Sequence, residues 1–157
     1  MSPQGEIAAI DLTALPGELV DFSLDASGTR AAVLLGIGGA TRFGAASLIE
    51  GNRMVGWQEV PLTASQEKEL SDAVALDWTG EVNVAVVASA GSGKSVFVVA
   101  VDGSEVTDLG PVSAPPVQVT ALPRPGGDAV AVRAADGTVL LYEQHGTWQQ
   151  AKTPMTW

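Results

Sequence analysis

One motif recurs along this chain and constrains its fold more than any other feature. Leu24-Asp-Ala-Ser-Gly28 returns as Leu76-Asp-Trp-Thr-Gly80 and, more loosely, as Leu122-Pro-Arg-Pro-Gly126. Each copy follows an alternating run: Val20-Asp-Phe-Ser-Leu24, Ala73-Val-Ala-Leu76 and Val117-Gln-Val-Thr-Ala-Leu122. Each precedes a short apolar run: Ala31-Ala-Val-Leu-Leu35, Val82-Asn-Val-Ala-Val-Val87 and Ala129-Val-Ala-Val132. Small aliphatic runs of this length suit central strands buried on both faces. A glycine turn then leads to a third run in every unit: Thr41–Leu48 after Gly38-Gly39, Ser95–Val101 after Gly91-Ser-Gly93, and Thr138–Tyr142 after Asp136-Gly137. Asp-Gly is a strong hairpin signal because both residues tolerate positive φ. A more polar fourth run closes each unit at Gly56–Leu62, Glu105–Leu109 and Thr147–Ala151.

The unit is therefore four antiparallel strands in about 45–50 residues, the length of a propeller blade. The expected architecture is all-β and propeller-type, with about three blades in one domain over 1–157. The repeats fall at about 18–70, 71–115 and 116–152. A β-sandwich is the alternative, since many short strands with glycine turns fit it too. A closed propeller has about four to eight blades, so three leave two blade faces uncovered. Those faces read as apolar and are expected to seek a partner. A second chain could close a six-bladed ring, a possible homodimer, or the chain could be the tail of a longer propeller. The run within 6–13, Ile7-Ala-Ala-Ile-Asp-Leu12, is expected to be a stray strand of a neighbouring blade, or to complete the last blade across the join. Between the first two units, Ala64–Leu70 suits a short helix capped by Thr63 and a plain loop equally well.

Composition narrows the function classes. The net charge is −10, from 18 acidic and 8 basic residues. Phosphate backbones and anionic lipid repel such a chain, which argues against nucleic acid and direct membrane-surface binding. There is no cysteine, which removes disulfides, thiolate metal sites and cysteine nucleophiles. No apolar stretch of about 18 residues is present to span a membrane. The opening residues lack the basic and apolar regions of a signal peptide.

One stretch imitates a nucleotide site. Ala88-Ser-Ala-Gly-Ser-Gly-Lys-Ser95 satisfies the permissive form of a phosphate-binding loop, with Ala in place of the first Gly. That chemistry needs a helix next, whose free N–H groups face the phosphates. Ser95-Val-Phe-Val-Val-Ala-Val101 follows instead, β-branched and without helical period. A hairpin turn is the preferred reading of 88–95, and a nucleotide-binding enzyme is kept third among the functions. His145, the single histidine, sits beside Gly146 at a turn and suits a solvated residue better than a base. Asp25, Asp77, Asp102 and Asp136 recur at turns and are expected to cap them through side-chain oxygens. Trp57, Trp78, Trp148 and Trp157 are dispersed and suit packing better than a sugar-stacking face. No catalytic, cofactor-binding or metal-binding residue is assigned, and the chain is not expected to be an enzyme.

Three stretches together resemble one family. Val20–Val33 is similar to the opening of the β-propeller domain of the LpqB lipoproteins of actinobacteria. Val74-Ala-Leu-Asp-Trp78 with Val99–Pro111 resembles the following blade. Asp136-Gly-Thr-Val139 with Gly146-Thr-Trp148 resembles a last one. The resemblance covers roughly 18–150. It implies a non-catalytic interaction module of a lipoprotein anchored outside the cytoplasmic membrane. The implied partner is a membrane sensor histidine kinase, that of the Mtr system, or another envelope component. The chain departs from the family in lacking the lipobox cysteine, signal peptide and preceding domain, so it reads as a C-terminal fragment whose only membrane link is an absent lipid anchor. A propeller that binds a small molecule or glycan is the runner-up.

Overall fold

The computed structural model describes residues 9–50, 52–80, 82–88, 95–111, 115–122, 128–145, 147–150 and 155–156. Three antiparallel meanders account for nearly all of them. The first sheet runs β1 (Glu18–Leu24), β2 (Arg30–Ile37), β3 (Ala40–Ile49) and β4 (Arg53–Glu59). The second runs β5 (Ala73–Thr79), β6 (Asn83–Ala88), β7 (Ser95–Ala100) and β8 (Val106–Pro111). The third runs β9 (Pro116–Leu122), β10 (Ala129–Ala134), β11 (Thr138–His145) and β12 (Thr147–Gln150), with the short β13 (Met155–Thr156) also pairing β11. The sheets stack in sequence order without closing, as a partial propeller.

Burial shows what the valine-alanine runs are for. In β6, Val84 to Ala88 are all buried; Val84, Val86 and Ala88 pack toward the first sheet, Ala85 and Val87 toward the third. A strand covered on both faces has room for small aliphatics only. The first interface adds Leu34, Phe43, Phe97 and Trp78; the second adds Val119, Val130, Val132 and Tyr142.

Between the first two sheets, Ala64–Leu70 forms helix α1. Its start is a complete capping box: Gln66 N–H donates to Thr63 Oγ1 at 3.2 Å, and Thr63 N–H donates to Gln66 Oε1 at 2.9 Å. Its end is tied to β3, where Thr41 N–H donates to Ser71 O at 2.8 Å, and Leu70 is buried in the first interface. The same connection is pinned by Gly103, at φ +76°, where an added Cβ would stand 2.2 Å from Pro61 O. Only glycine combines that conformation with that approach.

The two outward faces meet the expectation of apolar, uncovered surfaces differently: the first is apolar but covered, and the third is mixed. On the first sheet, Ala31, Val33, Leu35 and Met54 are apolar, but Ile10, Leu12 and Leu15 pack over them. This strap is held beside β4 by Asp11, whose N–H donates to Asn52 O at 2.8 Å and whose carbonyl accepts from Met54 N–H at 3.0 Å. Ile7 and Ala8 lie outside the described residues. On the third sheet, the alternates that turn away from the second are mixed: Gln118, Thr120, Arg133 and Glu143 are polar, while Leu122, Ala129, Ala131, Val139 and Leu141 are apolar, with Ala129 and Val139 buried. Gln118, Thr120 and Arg133 are exposed, so polar side chains meet the water there.

Candidate functional site

The first strands of the three sheets, β1, β5 and β9, lie side by side and bound an open groove. Each carries one β-bulge, and the extra residue is a valine in all three. Val20 lies between Leu19, opposite Leu35, and Asp21, opposite Leu34. Val74 lies between Ala73, opposite Ala88, and Ala75, opposite Val87. Val117 lies between Pro116, opposite Ala134, and Gln118, opposite Arg133. A bulge re-aims the side chain it inserts. All three valines line the groove and are 46%, 38% and 40% exposed, respectively.

Below the valines the inner strands are joined by side-chain oxygens. Asp21 Oδ2 accepts from Leu76 N–H at 3.0 Å, and Trp78 Nε1 donates to Ser23 O at 2.8 Å. Ser23 Oγ donates to Asp77 Oδ1 at 2.5 Å, while Asp77 Oδ2 accepts from Ala121 N–H at 2.7 Å. Counted from the bulge, Ser23, Asp77 and Thr120 are equivalent positions, each three residues past its valine. The first two reach the next sheet; Thr120 faces outward. Among the described residues that line it, the groove holds two carboxylates, Asp21 and Asp77, and no basic side chain.

Beside the groove, where the β1–β2 and β5–β6 hairpins end, is a cleft of about 750 Å³. Arg30 crosses it, with Nε 2.8 Å from Asp25 Oδ2 and its guanidinium carbon 5.1 Å from the centroid of Trp78. Leu24 and Val82 flank the opening, and Asp128 stands 3.4 Å from Thr79 Oγ1. Desolvation would raise the Asp25 carboxyl. Hydrogen bonds from Ser27 and Arg30, with the charge of Arg30, outweigh it and hold that carboxyl far below the usual carboxylate range.

With this geometry in place, the comparison with protein families is decisive: the model of the lipoprotein LpqB beta-propeller domain matches residues 2–157. The chain belongs to the LpqB propeller family. Among curated proteins no relative is found.

In this LpqB propeller the stretch 88–95 begins and ends in paired strands, since Ala88 and Ser95 face each other across β6 and β7. Strand follows the loop where a phosphate site needs a helix. Residues 89–94, including Lys94, lie outside the described residues. His145 ends β11, and its side chain is likewise outside them, as is Trp157. Asp25, Asp102 and Asp136 cap turns as expected, accepting from Ser27 Oγ at 2.7 Å, Ser104 N–H at 2.9 Å and Thr138 N–H at 2.9 Å. Asp77 does not: β5 continues to Thr79, so its carboxylate lies mid-strand and bridges sheets. Trp57, Trp78 and Trp148 pack in three different clusters, and Arg30 covers the ring of Trp78, so the described indoles share no stacking face.

The bulge valines escape a reading aligned on the Leu-x-x-x-Gly motif. They precede its leucine by four, two and five residues in turn. Only the hydrogen-bond register places them together.

Proposed function

We propose that this domain is a non-catalytic interaction module of an extracytoplasmic lipoprotein, and that it contacts the outward-facing part of a membrane sensor histidine kinase or another envelope component. The groove carries this reading. Its two carboxylates and the Ser23 hydroxyl are engaged in joining sheets, and what it offers outward is three valines beside Gln118 and Thr120, a surface for contact rather than for chemistry. The family's description as a lipoprotein domain supports the envelope location. No helix among the described residues is long and apolar enough to cross a membrane. A signalling role within a two-component system follows from that partner. The test is retention of the kinase's extracytoplasmic domain on the immobilised chain; a kinase domain that elutes as fast as from a blank column overturns the reading.

The cleft supports a second reading, in which the domain binds a small molecule, because its volume falls in the range of ligand pockets. A thermal-shift screen of metabolites and oligosaccharides should raise the melting temperature in at least one case. The shift should vanish in Asp128→Asn if the cleft is responsible.

A further inference from the structure

One rule joins the inner strands. Counted from the bulge valine, a side-chain oxygen one or three residues along accepts from an N–H two or four residues along the inner strand of the next sheet. Asp21 reaches Leu76, Ser23 reaches Trp78 and Asp77 reaches Ala121, at 3.0, 3.4 and 2.7 Å. The middle sheet thus accepts on one side and donates on the other. Each end of the stack carries one half of the rule. On β9 the oxygen positions hold Gln118 and Thr120, both exposed. Gln118 Oε1 accepts from Arg133 Nε at 3.3 Å, and Thr120 Oγ1 has no partner among the described residues. On β1 the donor positions are Phe22 and Leu24. Phe22 N–H donates to Asp21 Oδ1 at 2.9 Å. Asp25 N–H donates to Arg30 O across the hairpin, so antiparallel alternation turns Leu24 N–H away from β2.

The faces repeat in the same way. Each second strand turns one side toward the sheet before it: Val84 and Val86 of β6 toward the first, Val130 and Val132 of β10 toward the second. The same side of β2 carries Ala31, Val33 and Leu35, which the strap covers in place of a sheet. Trp148 of β12 packs toward the second sheet. Trp57 holds the matching place on β4, in the cluster under the strap, and its Nε1 is buried without a hydrogen-bond partner among the described residues. The strap therefore hides this face without completing it, and two backbone bonds at Asp11 tie it to β4.

We propose that the third sheet of one chain docks on the first sheet of a second copy, displacing the strap, and that the same contact made twice closes two chains of three sheets into a ring of six blades. The open end of the third sheet calls for a sheet with donors in the register of β1 and an aliphatic face like that of β2, and the chain carries both at its other end. Six blades fall within the closed range of about four to eight. The inference uses the ends of the stack and not the groove, so it stands apart from the kinase reading.

Because the chain has no cysteine, cross-linking tests the joint directly. Thr120→Cys of one copy should meet Leu24→Cys of the other, as Asp77 meets Ala121 within the chain. In a glutathione buffer, an equimolar mixture of the two variants should form covalent dimer at least about tenfold faster than either variant alone. Both side chains are exposed, so each variant should melt like the wild type. Sedimentation is run at about 0.15 M salt, which screens the repulsion between two acidic chains. It should show a concentration-dependent dimer. Leu12→Ser with Leu15→Ser should lower the dimer dissociation constant at least about tenfold, because the strap no longer competes for the face. Thr120→Asp, which sets the carboxylate of Asp77 at the equivalent position, should lower it about fivefold. Equal cross-linking in the mixture and in the single variants overturns the proposal. So does a monomer at every concentration up to about 1 mM, which leaves the face to a blade of another protein. Growth beyond the dimer overturns the ring as well, since an unclosed head-to-tail contact makes a filament.

Discussion

The first and third sheets share one topology but end the stack differently. The first turns an aliphatic face outward and covers it with its own strap, Ile10, Leu12 and Leu15. The third mixes the two kinds on its outward face, with Gln118, Thr120 and Arg133 exposed beside the buried Ala129 and Val139. The central strands record the difference. Ala31 to Leu35 of β2 are buried without exception, like β6 between its two neighbours, whereas in β10 Ala131 is half-buried and Arg133 exposed. A propeller unit thus does not dictate both of its faces. Alternate residues of one strand decide whether a face needs a cover.

The largest test of this contrast is truncation on a covered face against truncation on the open one. Leu34→Ala, between the first two sheets, should cost about 2–5 kcal/mol in urea unfolding. Leu141→Ala, on the outward face of the third sheet, should cost about 1 kcal/mol, because much of the side chain is already hydrated. Equal losses would break the comparison. Next come the equivalent latch positions. Asp77→Ala strands the Ala121 N–H and should cost about 1–3 kcal/mol, while Thr120→Ala should stay within about 0.5 kcal/mol. A large loss at Thr120 would mean that its face is covered after all. The strap can be tested directly: Leu12→Ser with Leu15→Ser should lower stability by about 2 kcal/mol and increase binding of a hydrophobic dye. Unchanged dye binding would show that the strap is not the cover.

The smallest effect concerns pH. The depressed pKa of Asp25 means that the folded state favours its charged form. Its contribution is complete above the unfolded value near pH 4 and is lost as pH falls below it. Melting temperatures taken from pH 7 to pH 3 should therefore fall more steeply for the wild type than for Asp25→Asn. Parallel slopes would assign acid sensitivity to other carboxylates, such as those of Asp11, Asp102 and Asp136, each lowered by hydrogen bonds in its own turn.

Much of the frame was legible in the sequence because it depends on local rules. Glycine turns and period-two runs announce hairpins, and Ala-Val strands announce burial on two faces. Residue types alone suit a helix and a loop equally well at Ala64–Leu70. The capping box and the burial of Leu70, which depend on tertiary context, decide for the helix. The groove was not legible. A bulge adds one residue without breaking an apolar-polar pattern that is already irregular, and its place appears only when the partner strand is known. The role of Asp77 is hidden for the same reason, because its likeness to Asp25 lies in sequence alignment and not in sheet register. The strap was beyond reach because it is held by backbone bonds at Asp11, which leave no trace in residue type.

The oxygens that join the inner strands have one more consequence. An unpaired strand edge offers its N–H groups to any passing strand, and β1, β5 and β9 each end a sheet. The N–H groups of Leu76, Trp78 and Ala121 are already occupied by Asp21, Ser23 and Asp77 of the preceding sheet. A strand from another molecule finds those three donors taken, so the bonds that hold the blades together also blunt the inner edges of β5 and β9 against edge-to-edge aggregation.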